Sequence, residues 1–192
     1  MAYQQPRYTV LERRGNLEVR RYEPYIVAEI EVRGSLEDAG NKAFRPLADF
    51  IFGKNRRSET MGMTAPVTQA AKGETIGMTA PVIQSATGEQ AYVVSFVMPS
   101  RYTMATLPQP IDPNIRFRDV PASTVVAWTY RGTWSESRYR KEERALREAL
   151  AKQGWTVSRP PVWARYNPPF WPWFLRRNEI LAEFSAAKPA ER

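Results

Sequence analysis

The chain contains no cysteine and no histidine. The first absence excludes disulfides, thiolate nucleophiles and cysteine-based zinc sites. The second removes the imidazole that Ser-His-Asp and Cys-His machinery requires. Apolar runs are short as well, and none reaches the roughly 20 residues that cross a bilayer as a helix. No integral membrane segment is expected. The opening "MAYQQPRYTV" lacks a basic stretch followed by an apolar one, so no signal peptide is expected and a cytoplasmic location is predicted.

What is present fits one globular domain, or two small fused halves: 192 residues, 43% hydrophobic and a quarter charged. The net charge of +8 is compatible with a solvated surface or with attraction for an anionic ligand or membrane surface. The basic residues are scattered in pairs, and the block "RYRKEERALREAL" carries its own acids. No zinc-finger, basic-zipper or RNP pattern accompanies them, so nucleic acid is not an expected partner.

Residues 8–32 read as three short strands, Tyr8–Arg13, Leu17–Tyr22 and Tyr25–Val32, with Gly15-Asn16 as a hairpin turn. Val10, Leu17, Val19, Ile26, Ala28, Ile30 and Val32 mark apolar positions along these half-buried strands. The period then changes. Leu36, Ala39, Ala43, Leu47, Phe50 and Ile51 recur at helical spacing behind a capping Ser35, Asp38 supports the first turn, and Gly53 stops the run. Pro46 inside it predicts a kink, with the Lys42 carbonyl left unbonded. "AYVVSFVMPS" reads as a strand, "RYTMATLPQPIDPN" as a loop and "IRFRDVPASTVVAWTYRG" as two strands. A second helix follows, capped by Ser135, striped by Tyr139, Leu146, Ala149 and Leu150, and ended by Gly154. A strand at Pro161–Tyr166, a Pro/aromatic loop and a strand at Asn178–Phe184 complete the pattern, and the tail from residue 185 is expected to be disordered. Strands, helix, strands thus occurs twice. The order predicts an α+β fold of two like halves with a largely antiparallel sheet or distorted barrel.

One phrase also occurs twice: "ETMGMTAPVTQ" at 59–69 and "ETIGMTAPVIQ" at 74–84. A proline cannot donate to a ladder, so each should sit where a strand begins, ends or bulges at an edge. Met63 and Met78 precede the prolines as flexible gap-fillers, and Lys72-Gly73 can turn the chain between two matched arms of a hairpin.

"GMTAPV" twice, "VVSFVMPS", "LPQPIDPNIRFRDVPA" and "RYNPPFWPWFLRRNEI", in this order, resemble the SOUL heme-binding protein family from about Tyr8 to Phe184. The resemblance implies a domain over 8–184 between short tails at 1–7 and 185–192. Its fold would be a pseudo-twofold, distorted antiparallel β-barrel flanked by two α-helices, similar to gyrase-inhibitor-like and effector-binding domains. It implies a tetrapyrrole ligand, heme b or another porphyrin, in a shallow groove against the first helix. Lys42 falls at a position where relatives pair a propionate, Arg45 lies on the same face, and Asp49 follows one turn on. Phe170, Trp171, Trp173 and Phe174 would form an aromatic wall, and Arg176 and Arg177 are candidates for propionate pairing. Some members place an axial histidine near the position of Tyr25 and Ile26, a mode this chain excludes.

With His and Cys gone, Tyr25, Met63 and Met78 are the candidates for an iron ligand, since Tyr and Met serve that role elsewhere. Each has a plainer account: core packing for the methionines, a strand-start aromatic for Tyr25. Likewise Arg176 or Arg177 can bridge Glu179 structurally, Lys42 and Arg45 can be solvated helix residues, and "FWPWF" can be a hydrophobic lid. The expected function is a non-enzymatic tetrapyrrole carrier or buffer. The alternatives are a sensing module for another flat or amphiphilic molecule, or a cavity hydrolase using a carboxylate such as Asp49 or Glu29.

Overall fold

The structure, a computed structural model, describes residues 4–56, 73–88, 91–167 and 171–186. In chain order the elements are β1 (Tyr8–Arg14), β2 (Leu17–Tyr22), β3 (Tyr25–Arg33), α1 (Leu36–Ile51), β4 (Asn55–Arg56), β5 (Val82–Gly88), β6 (Ala91–Val97), β7 (Gln109–Pro110), β8 (Arg116–Val120), β9 (Ser123–Arg131), α2 (Glu136–Ala151), β10 (Trp155–Val157), β11 (Val162–Arg165), β12 (Arg177–Ala182) and β13 (Phe184–Ala186). A single 3-10 turn, Trp173–Leu175, precedes β12.

Nine strands form one strongly curled sheet in the order β1-β2-β9-β12-β11-β5-β6-β3-β8, and every pairing within it is antiparallel. Leaving β1 aside, the order is a palindrome. β2-β3-α1-β5-β6 of the first half corresponds to β8-β9-α2-β11-β12 of the second, and the pseudo-twofold passes between β5 and β11. The expected α+β half-barrel with two helices is therefore the observed one.

Period-2 alternation separates two faces of the sheet. Ala28, Ile30, Val94 and Phe96 pack against Ala43, Leu47, Phe50 and Ile51 of α1. Leu17, Val19, Val126, Trp163 and Ile180 pack against Tyr139, Leu146 and Leu150 of α2. Both helices begin as their sequences predict: Ser35 Oγ accepts from the Asp38 N–H and Ser135 Oγ from the Arg138 N–H. Helix α1 continues through Pro46 to Ile51. Gly154, at φ +68°, ends the α2 turn in a conformation that suits glycine.

Pro81 stands immediately before β5, where a strand begins, and that strand lies inside the sheet between β11 and β6. The C-terminal reading is corrected. Trp155–Val157 is a strand, and it pairs with Phe184–Ala186. Ser185 and Ala186 therefore belong to a two-stranded sheet, not to a tail, because β10 offers them a hydrogen-bonding edge. The first copy of the doubled phrase, with Met63, lies outside the described residues. In the second copy Ile76 is fully buried and Met78 packs partly buried on the α1 core.

The helix-free face carries a buried polar network. Glu179 accepts from Arg20 Nη1 and Nη2 at 2.7 and 2.9 Å, from Tyr166 Oη at 2.6 Å, from Thr129 Oγ1 at 3.2 Å and from Arg177 Nη2 at 2.5 Å. Arg20 also donates to Glu18 and Tyr22, and its guanidinium lies 4.5 Å from the centre of the Tyr8 ring. Burial raises the Glu179 carboxyl, but the hydrogen bond and charge of Arg20, then Arg177 and Tyr166, hold it below its ordinary value of 4.5.

Glu179→Ala leaves Arg20 charged without its main partner in the interior, so it is expected to cost about 3–5 kcal/mol and lower Tm by roughly 10 °C in thermal denaturation. A loss below ~1 kcal/mol would contradict this account of the network. A carboxyl held low contributes stability that is complete above its unfolded-state value and is lost as pH falls through its folded-state value. The urea-resistance gap between wild type and Glu179→Gln should therefore narrow as pH drops below about 4.

Candidate functional site

Helix α1 is linked to the loop before β12 through three residues that the sequence did not single out: Gly40, Arg165 and Trp134. Gly40 faces β11, and a Cβ there would lie 2.7 Å from Arg165 Nη1. The missing side chain is what lets that guanidinium pass beside the helix. Arg165 Cζ then lies 5.2 Å from the centre of the Trp134 indole, and Arg176 Cζ lies 4.4 Å from the same centre. Such cation–π contacts contribute about 0.5–1 kcal/mol each at partly exposed sites. Trp134 Nε1 donates to Asn178 Oδ1 at 2.9 Å, and Asn178 Nδ2 donates to the Gly132 carbonyl at 3.1 Å. Arg176 Nε donates to the Trp171 carbonyl at 2.8 Å. A continuous path of contacts thus runs from α1 to the aromatic turn.

That turn is held by its backbone and leaves its side chains outside. Arg131 Nη1 donates to the Leu175 carbonyl at 3.3 Å, and the Gly132 N–H donates to the Arg176 carbonyl at 3.3 Å. One 3-10 turn is too short to bury the rings it carries. Trp171, Trp173, Phe174 and Leu175 remain 42%, 58%, 55% and 45% exposed. On α1, Phe44 is 37% exposed and meets Phe96 edge-on. Phe170 lies outside the described residues.

The cations divide into two sets. Lys42 folds back toward the end of β3, where Nζ donates to the Arg33 carbonyl at 3.2 Å. Arg45 is exposed, and Arg176 lies against the indole of Trp134. Arg177 belongs to the Glu179 network, as the structural reading of "RRNEI" expects. Tyr25 lies apart from this surface: the β3 residues packed in the α1 core are Ile26, Ala28, Ile30 and Val32, and Tyr25 lines cavities elsewhere. The carboxylates considered for catalysis are both ion-paired, Asp49 with Lys54 at 2.8 Å and Glu29 with Arg118 at 2.9 Å. Among the described residues no group of three or more acids suits a metal ion.

Among the described residues, the space bounded by Leu36, Tyr130, Trp134, Tyr139, Trp163, Ala164 and Arg165 amounts to about 10 Å³. One signal for Trp134 was present in the sequence: it precedes the capping Ser135, where an apolar residue staples the first turn of a helix.

Gly40→Ala should push the Arg165 guanidinium off Trp134 while improving helix propensity by about 1 kcal/mol. Net stability is expected to stay within ~1 kcal/mol of wild type, with a shifted Trp134 indole N–H resonance. A loss above ~2 kcal/mol would show that Arg165 cannot yield.

No curated protein sequence matches the chain. Among solved structures, the EcmrR C-terminal domain aligns with a TM-score of 0.58 at 14% identity, covering 94% of this chain and 99% of that one. EcmrR in an EcmrR–DNA complex aligns with a TM-score of 0.61 at 13% identity, covering 89% of this chain and 57% of that one. A hydrolase from Listeria innocua aligns with a TM-score of 0.51 at 9% identity, covering 96% and 94%. At these identities the likeness is one of fold. The model of the SOUL heme-binding protein family matches residues 3–183, nearly the whole chain, with α1 and the aromatic turn within the match. The chain belongs to the SOUL heme-binding protein family.

Proposed function

We propose that the chain is a non-enzymatic carrier or buffer that holds a heme-type tetrapyrrole, as cargo, on the surface between α1 and the aromatic turn. One observation carries this reading: large apolar side chains on α1 and on the aromatic turn, linked through Arg165, Trp134 and Arg176, stay 37–58% exposed, with Arg45 and Arg176 on the same two segments. Exposed apolar clusters rimmed by polar groups mark interaction sites. Trp171, Trp173 and Phe174 offer faces for stacking on the macrocycle, and Phe44 faces it from the helix. Lys42, Arg45 and Arg176 supply positive charge for the propionates, while Arg177 is committed to Glu179.

The affinity this arrangement supports is modest. Burying roughly 300 Å² of macrocycle face yields about 7 kcal/mol before the losses of association. That suits micromolar exchange. No imidazole or thiolate exists in the chain to hold the iron. Tyr25 lies away from this surface, and Met78 is packed on the α1 core. The iron-free macrocycle should therefore bind nearly as well as the iron complex.

Titration of the chain with hemin and with protoporphyrin IX, followed by absorbance and tryptophan quenching, tests this. Both should bind in the micromolar range, within about threefold of one another. Trp173→Ala and Phe174→Ala should each weaken binding roughly 5- to 10-fold. Arg45→Glu should weaken it about 2- to 5-fold, less so at high salt. Binding of neither compound, or binding indifferent to all three substitutions, would refute the proposal.

A further inference from the structure

The curl of the sheet brings its two ends together on the helix-free face. There a cavity of about 260 Å³ opens, walled by β2, β3, β8 and β9 and floored by β5, β6, β11 and β12. Its floor sets apolar Ile83, Val162 and Leu181 beside the hydroxyls of Ser85 and Ser95, Val27, Val125 and Ser123 stand at the sides, and the Glu183 carboxylate, paired with Arg159, also lines it. Two phenols, Tyr22 and Tyr25, line it side by side, their tilted rings in contact with centres 6.3 Å apart. Arg118 and Arg159 stand at its mouth, their side chains 52% and 75% exposed.

The polar groups of this cavity favour an acceptor. Tyr22 Oη accepts from Arg20 Nη1 at 3.2 Å, which leaves its own hydrogen for another partner. Burial pushes Tyr22 up to about 12 against the pull of Arg20, and burial raises Tyr25 against the pull of Arg118, so both phenols stay protonated donors at neutral pH. Arg118 directs Nε and Nη2 at one oxygen of Glu29, 3.0 and 2.9 Å away, and an arginine has further N–H groups to offer. Arg159 holds Glu183 at 3.5 Å on the surface, a pair too exposed and too long to fix either partner. The volume lies below the roughly 300–1,000 Å³ of drug-sized sites, which excludes a macrocycle.

We infer that this cavity is a second small-molecule site, separate from the tetrapyrrole surface, for an aromatic carboxylic acid of one or two rings. The acid group meets the Tyr22 and Tyr25 hydroxyls and Arg118, and the rings pack on Val27, Val125, Val162 and Leu181. The inference stands independently of tetrapyrrole binding.

The test uses 1-naphthoate as probe, with 1-naphthylmethylammonium as its cationic counterpart, in calorimetric titration of the chain. Naphthoate should bind at least about tenfold more tightly than the cation, and Tyr25→Phe and Arg118→Gln should each weaken it about three- to tenfold. Val125→Phe should fill the cavity and abolish binding while leaving the hemin titration unchanged. Methyl resonances of Val27, Val125, Val162 and Leu181 in the wild type should shift on adding naphthoate, which locates the site even if Val125→Phe fails to fold. No naphthoate binding, equal binding of the cation, binding that survives in folded Val125→Phe, or methyl shifts confined to other residues would each overturn the inference.

Discussion

Arg20 and Glu179 meet on the helix-free face of a sheet whose other face is occupied by two helices. Neither side chain is open to solvent, so each depends on the other for its charge to be tolerable. Their contact joins β2 to β12, with β9 between them. Tyr166, Thr129 and Arg177 complete the acceptor capacity of the carboxylate. The network fills one part of the inside of the half-barrel with polar atoms. The remaining part, beyond Tyr22, stays open as a cavity. One ion pair thus sets both where the interior is solid and where it is hollow.

The helix side is organised by a different economy of space. Cores beneath α1 and α2 are apolar and closely filled, and they leave a gap above β5 and β11, next to the pseudo-twofold axis. Trp163, Tyr139 and Leu36 close one end of that gap. At the other end Arg165, Trp134 and Arg176 stack, admitted by the absence of a side chain at Gly40. The indole lines that narrow space, and on the proposed reading recognition falls outside it, to Phe44 and the exposed aromatic turn. This is consistent with a family that binds heme and with a chain that has no imidazole to bury around an iron.

Much of this was legible in the linear pattern. The strand–helix–strand order repeated, the caps at Ser35 and Ser135 were marked by residue type, and the helix stripes matched the buried faces. Aromatics crowded between prolines at 168–175 signalled side chains that a short turn would leave outside. The two-stranded pairing of β10 with β13 was not legible, because a three-residue strand carries too little periodicity to show. Gly40 read as an ordinary helix position, since nothing local tells which side chain will pass beside it. Tyr25 was grouped with the α1 surface by family position, yet strand alternation turns it to the other face.

Sequence alone determined the chemistry available: no imidazole, no thiolate, an excess of positive charge and a dense aromatic loop. It also determined the duplicated order of elements, because hydrophobic period and capping residues are local properties. Tertiary structure decided which of those groups meet. Arg177 is drawn into a buried carboxylate network while its neighbour Arg176 lies on an indole, a division that depends on strand alternation within a curled sheet. The cavity behind Tyr22 and Tyr25 likewise depends on the curl: short links carry the chain from β2 to β3 and from β8 to β9, but only the curled sheet brings Ile83, Val162 and Leu181 beneath them.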